Sequence, residues 1–565
     1  MEVWAGSQIR WTVLGTSLHH VSKILRRKDE EQKSARSMNF DNRYALRILK
    51  RWFQNLSIEL TFALPARALL LGIFVALATL PPGIQAEAPV AAPGKRTGNL
   101  EAESARQDFR IMQSIFSQAH ATAFAQIPRP PLPDLFKGKK NVSIRDFVMQ
   151  VLSYYRGIQV DHTGLGFSPE LIESLGLKTA LFPFPLKFFE GRAFFDCTYQ
   201  EISFGTELLK INGQPLADLF RRFNTFTPIL NAQGRSDDYR LGESFSFLYY
   251  ILEGPRSRWQ LTLSDGGKTR EVVVDTADGS GTAFVPRKSM AQPKYAQPVH
   301  IMFNPQLRAA YLALNTFMPS GKELNSVDSW NTMLYAFHRE AAQRKAENLV
   351  IDLRVNRGGV MLFSAVAASW FVEQRIEDKS RSRARSRVLP YREYVHAVNS
   401  MAVSEQILHD TEEHLQNAFG DRMVGGYFET RHSEARYLTL IPVAQAHRFR
   451  RIYLLVSRAT YSAAVNFARL VKLGHPNTIL VGEETGSPGD GHSAEILVTY
   501  KLPHTGLLFE IPLVQVQFNP VVPRQEKGRG LMPDIVSVET PTDFLLGRDA
   551  QLEAVSEMMQ RQVEP

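Results

Sequence analysis

The chain has 565 residues, 44% of them hydrophobic and 22% charged, and its 66 Lys and Arg against 57 Asp and Glu give a net charge of +9. This length and apolar content exclude a disordered chain, and they exceed one compact domain. Cys197 is the single cysteine, so an intramolecular disulfide is excluded. No Cys-x-x-Cys pair, HExxH, P-loop or GxGxxG pattern occurs, and the sequence calls for no metal and no cofactor.

Residues 1–86 read as a leader. The apolar run at 68–80 follows Arg67 and the basic pair Lys50-Arg51. It is broken at Pro81-Pro82-Gly83 and ends on the small residue Ala86. This resembles a secretory signal peptide, and it is shorter than the roughly 20 residues of a membrane span. Met38 is an alternative start and an uncleaved signal anchor an alternative reading. Cleavage near Ala86 leaves no stable membrane span. Residues 87–105, rich in Ala, Pro, Gly and Glu, read as a linker.

Residues 106–179 are read as an N-terminal helical segment, with apolar periodicity in QDFRIMQSIFSQAHATAF and VSIRDFVMQVLSYYRG; Asp161-His162-Thr163-Gly164 follows the second stretch. Residues 180–275 alternate short apolar strands with turns. FGTELLKINGQPLADLF resembles the core motif of a PDZ domain, with Leu208, Leu209 and Ile211 expected to face inward and Asn212-Gly213 to form a tight turn. Asp265-Gly266-Gly267 reads as the turn of a following hairpin. PDZ domains take a chain end as an added strand, but no carboxylate-binding loop is evident, and a purely structural domain is the alternative. Residues 276–297 read as a second linker.

The stretch 298–545 carries an α/β pattern. AAYLALNTF at 309–317 reads as a strand, and Trp330, Met333, Leu334 and Phe337 mark one face of a helix over 326–346. NLVIDLRVNRGGV at 348–360 is a buried strand ending in a glycine turn. RIYLLV at 451–456 is a second buried strand, and TILVG at 478–482 a third. A helix begins at about Ser462, so this hydroxyl lies beside free backbone N–H groups and the positive end of the helix dipole. An ordinary N-cap and a nucleophile are both compatible with that place. Residues 373–448 read as an insertion, either a lid or a passive excursion. Within it, the basic run from Lys379 to Arg387 reads as a solvated, mobile loop, with anionic lipid, wall polymer or nucleic acid as alternative contacts; for the protein as a whole no nucleic-acid partner is expected. Residues 546–565 read as a tail.

The set DLRVNRGG, ATYSAA, VGEETG and GLMPDI, in that order, resembles the tail-specific, or carboxyl-terminal processing, peptidase family and its tricorn-like serine peptidases. The likeness covers roughly residues 298–540. It implies an α/β multidomain protein with a ClpP/crotonase-like core, an N-terminal helical segment and a PDZ-like β-rich domain. It also implies a secreted or periplasmic serine endopeptidase of the bacterial envelope, acting on proteins or peptides. In this reading Ser462 is the nucleophile, and the N–H groups of Gly359 and Ala463 form the oxyanion hole. The lysine of a Ser–Lys dyad is missing from Thr485-Gly486-Ser487-Pro488-Gly489, so the tricorn-like pattern makes His162 the base. Glu526 is the third group by that pattern, although it stands one residue too far from Gly530. Glu484 and Asp161 are its rivals. The missing lysine also leaves open a catalytically inactive relative that binds peptide or cell-wall polymer.

Overall fold

A computed structural model describes residues 12–13, 99–121, 137–156, 162–175, 181–226, 238–275, 285–286, 297–319, 324–431 and 438–561. The signal-like run at 68–80 and Asp161 lie outside the described residues, as does nearly all of the linker at 276–297.

Two helices open the fold, α1 (Ala102–Ala119) and α2 (Ile144–Arg156). Asn99–Glu101 pairs with Asn141–Ser143 in front of them, so ordered structure begins inside the stretch read as a linker. After α2 comes strand β1 (Gly164–Phe167). Next is an antiparallel sheet of β2 (Leu186–Phe189), β3 (Arg192–Phe195), β4 (Glu207–Ile211), β5 (Arg258–Asp265) and β6 (Lys268–Asp275). Its spatial order is β6-β5-β4-β3-β2, with Gln214–Pro215 paired to β4. Helices α3 (Leu216–Phe223) and α4 (Asp238–Glu253) pack beside it.

Asn212-Gly213 and Gly266-Gly267 form the tight turns, all four at positive φ. Leu208 and Ile211 face inward, but Leu209 is only half-buried. The pairing passes from Thr262↔Lys210 to Leu263↔Leu208, which makes Leu209 the extra residue of a β-bulge. The bulge lets two residues three apart share one face.

The second half is built on β7 (Val299–Asn304), β8 (Ala309–Leu314), β9 (Asn348–Asp352), β12 (Arg451–Val456), β13 (Thr478–Gly482) and β17 (Ile535–Val536), in that spatial order; the strands between them in the chain belong to other sheets. All pairs from β8 to β17 are parallel. Leu312, Ile351, Leu454 and Leu480 lie in one row and are all buried. Helices α5 (Val327–Gln343), α6 (Met361–Ser369) and α7 (Ala463–Gly474) cover one face. Helix α8 (Ala550–Gln560) covers the other through Leu552, Val555 and Met559, so part of the stretch read as a tail closes the core. A central parallel sheet buried on both faces explains why its strands are continuous apolar runs. The pair Thr12–Val13, inside the presumed leader, lies beside β7 in register with Phe303 and Met302.

A further sheet joins the two halves. It contains β11 (Val395–Val398), β14 (Leu497–Lys501) and β15 (Leu507–Pro512), with β1 at its edge. Phe509 stacks between Phe116 of α1 and Tyr500 of β14. The insertion is therefore woven into the fold: it supplies β11 here, and β10 (Arg381–Ala384) pairs with β16 (Val514–Gln517). The basic run becomes a strand with partners. Arg383 bonds Gln515 and lies 4.0 Å over the Tyr427 ring, and Arg387 pairs with Asp421.

His338 on α5 is buried among Phe337, Trp370, Phe371 and Phe449. Desolvation pushes its imidazole down to about 3 from an ordinary value near 6.5. The unfolded chain then binds the extra proton, so this contribution to stability is complete above about pH 6.5 and is lost progressively as pH falls toward about 3. Between pH 7 and pH 5 the loss is about 2 kcal/mol. Urea unfolding at both pH values should show a smaller drop in His338→Leu than in wild type; equal drops would refute this.

Candidate active site

The site forms at the carboxyl ends of β9 and β12, where open parallel sheets place their ligands. At the end of β9, Asn356 holds the turn: its amide donates to Leu314 O at 2.8 Å and its Oδ1 accepts from Gly358 N–H at 2.8 Å. Asn356 O accepts the N–H of Tyr461, tying this turn to the one that follows β12. Gly358 has φ +95° and Gly359 φ +137°. A Cβ on Gly358 would stand 2.7 Å from Ser462 Cβ and 2.8 Å from Ala463 N, and one on Gly359 would stand 2.3 Å from Phe317 C. Glycines at both positions let the two turns close on each other.

Ser462 occupies the N-cap position of α7, yet its side chain makes no capping hydrogen bond. Its backbone is at φ 53°, ψ −123°, a strained conformation for a residue with a Cβ. Such a sharp strand-to-helix turn projects a hydroxyl away from the helix. Ser487 Oγ accepts the Ser462 N–H at 2.8 Å and pins the turn from the side where the sequence lacks a lysine. Ala463 is the first residue of the helix, so its N–H lies among those without an intrahelical acceptor.

His162 reaches this place from 299 residues upstream. Its backbone N–H donates to Tyr461 Oη at 3.3 Å, and its ring packs on Tyr461 with centroids 5.0 Å apart. The ring's Nδ1 is enclosed by protein. The neighbouring Thr163 Oγ1 lies 2.8 Å from Nε2 of the buried His120. The structure thus brings His162 against the residue that precedes Ser462, and Gly358 directly over Ser462.

Of the carboxylates chosen from sequence, Glu484 and Glu526 lie among the described residues. Glu484 is gripped by Arg529 at 2.7 and 2.8 Å and accepts the Gly530 N–H at 2.9 Å; the Arg529 hydrogen bonds hold it below the usual carboxylate range. Glu526 is exposed and faces Arg529 at 3.6 Å. Its loop packs on the Ser487 turn, since Gly528 N–H donates to Asp490 and Gly530 bridges to Pro488. Glu510 on β15 was not singled out from sequence. Its signal was a lone carboxylate in the strand Leu-Leu-Phe-Glu-Ile-Pro. Among the described residues no cluster of three His, Cys, Asp or Glu could hold a metal ion, and no helix is long and apolar enough to cross a membrane.

The model of Peptidase family S41 matches residues 308–536, the span that contains both turns. The described fold is similar to the solved structure of mature CPAF complexed with lactacystin, with a TM-score of 0.52 and 15% identity over 81% of this chain and 98% of that one. A second structure of mature CPAF gives a TM-score of 0.51 and 15% identity over 81% and 96%. No curated protein sequence matches the chain. At 15% identity the structural likeness shows the fold; the sequence match shows the class, a serine-type peptidase. Over residues 308–536 the chain is similar to Peptidase family S41, in keeping with its likeness to the tail-specific, carboxyl-terminal processing peptidases.

Proposed function

We propose that the protein is a secreted serine endopeptidase in which Ser462 is the nucleophile and His162 its general base. The observation that carries this reading is the strained Ser462 turn, uncapped, lying under Gly358 and beside the His162–Tyr461 pair. Ser462 Oγ attacks the peptide carbonyl and its proton passes to the imidazole of His162. The N–H groups of Gly359 and Ala463 take the developing oxyanion. The imidazolium returns the proton to the leaving amine, and an acyl-enzyme on Ser462 remains. Water, deprotonated by the same imidazole, then releases the acid and the free hydroxyl. Glu526 belongs to this reading as the third carboxylate; being exposed, it would have to be enclosed by bound substrate to act on His162. The sheet of β2 to β6 is read as a PDZ-like domain that presents peptide to the cleft, and residues 68–86 as the signal that exports the chain.

A fluorophosphonate probe, which phosphonylates activated serines, tests this reading. Wild type is expected to carry one adduct, on the peptide containing Ser462. The adduct should be absent in Ser462→Ala and should form at least about 10²-fold more slowly in His162→Ala. Unlabelled, folded wild type or an adduct on another serine would overturn it.

A further inference from the structure

We propose that Glu510 is the residue that positions and polarises His162, an inference that rests on the Ser462–His162 reading above. Strand β15 is apolar apart from this carboxylate, and a carboxylate among apolar side chains is costly without a partner. The register sets Glu510 between Thr499 on β14 and Gly164 on β1. On one side, Thr499 Oγ1 donates to Glu510 Oε2 at 3.1 Å. On the other, Gly164 has no side chain to fill the space beside the carboxyl, and the chain reaches His162 two residues earlier. His162 stands in the turn that leads into β1, at the end of the strand pair where Glu510 lies. The edge is fixed from behind by Tyr155, whose hydroxyl donates to Gly164 O at 3.2 Å.

The electrostatics agree with this placement. Burial pushes the Glu510 carboxyl above its usual range, while the Thr499 bond and the imidazole of His162 pull it down. Tyr155 and His162 are the titratable groups that sense Glu510 or are sensed by it. When His162 accepts the serine proton, Glu510 supplies the opposite charge to a ring whose Nδ1 is enclosed by protein. Neither loop flexing nor substrate closure is needed to bring it there, unlike Glu526. The sheet that carries Glu510 is the one that joins the N-terminal segment to the second half of the chain, so the base and its partner are set by the same strand pairing.

The test compares wild type, Glu510→Gln, Glu526→Gln and Thr499→Val in kcat and KM from pH 5 to 9 on one chromogenic peptide substrate, with Ser462→Ala and His162→Ala in the same assay. Glu510→Gln is expected to lower kcat by about 10²–10⁴-fold with little change in KM. The acid limb of its kcat profile should also move, which a loss of packing alone would not do. Thr499→Val leaves the anion in place and should lower kcat with a smaller shift, which keeps the test usable should Glu510→Gln fail to fold. An unchanged acid limb and kcat in folded Glu510→Gln, or in Thr499→Val when only that variant folds, would overturn the proposal; loss in Glu526→Gln alone would assign the role to Glu526. Retained activity in Ser462→Ala or His162→Ala would instead reject the underlying reading, so the two failures are distinct.

Discussion

Gly358→Ala is expected to lower kcat/KM by about 10²–10³-fold, the scale of losing one oxyanion donor, and to destabilise the protein by about 2–4 kcal/mol. Two causes combine. The residue sits at φ +95°, where a Cβ is strained, and the added methyl would stand 2.7 Å from Ser462 Cβ and 2.8 Å from Ala463 N. The neighbours are backbone and the Cβ of Ser462, the proposed nucleophile, so no flexible side chain can yield. Relief requires the turns after β9 and β12 to part, which would draw apart the N–H groups of Gly359 and Ala463, the proposed oxyanion donors. Gly213→Ala is the control. It has φ +79° with nothing within 4 Å of the added carbon, so it should carry only the backbone cost of about 1–2 kcal/mol and leave kcat/KM unchanged. Equal kinetic effects of the two substitutions would show that close approach at Gly358 is not what matters.

Arg469→Met is expected to destabilise the protein by about 3–5 kcal/mol, because it strands the partner carboxylate of a buried ion pair. Arg469 lies on α7, seven residues after Ser462, and is fully buried. Its guanidinium pairs with Asp378, bonds Asn466 Oδ1 at 2.8 Å and Pro520 O at 2.5 Å, and stacks 4.2 Å from the Phe518 ring. One side chain thus fastens the serine helix to the start of the insertion and to the chain that follows β16. Replacing both partners, as in Arg469→Met with Asp378→Leu, should recover much of the loss, since no unpaired charge remains. Urea unfolding of the singles and the double gives the coupling directly. A single-variant loss under about 1 kcal/mol would mean that the pair contributes little, as exposed pairs do.

The basic run at 379–387 shows where local reading stops. Nine residues with four arginines and one lysine look like a solvated loop. In the fold Arg381–Ala384 is an inner strand of a sheet, paired on both sides, and its flanking cations are matched: Arg383 finds Gln515 and the Tyr427 face, and Arg387 finds Asp421. Those partners come from elsewhere in the chain, and no local pattern announces them. Glu526 and Glu510 repeat the lesson. Glu526 attracts notice through a short motif that ends at Pro533-Asp534. Glu510 interrupts an apolar strand, and its meaning depends on which residues lie across from it.

Local patterns suffice for the series of buried strands, the glycine turn after β9 and the serine at the strand-to-helix turn after β12. Continuous apolar runs, Gly-Gly and a helix start are local signals, each complete within a dozen residues. The tertiary structure alone decided that β1 pairs with β15, which sets Glu510 across from Gly164 and carries His162 to Tyr461. It also decided that Leu209 is a bulge and that α8 closes the back of the sheet. These are choices of partner and register between segments far apart in the chain. They are settled by how whole faces pack and hydrogen bond against each other, which the local order of apolar and polar residues leaves open.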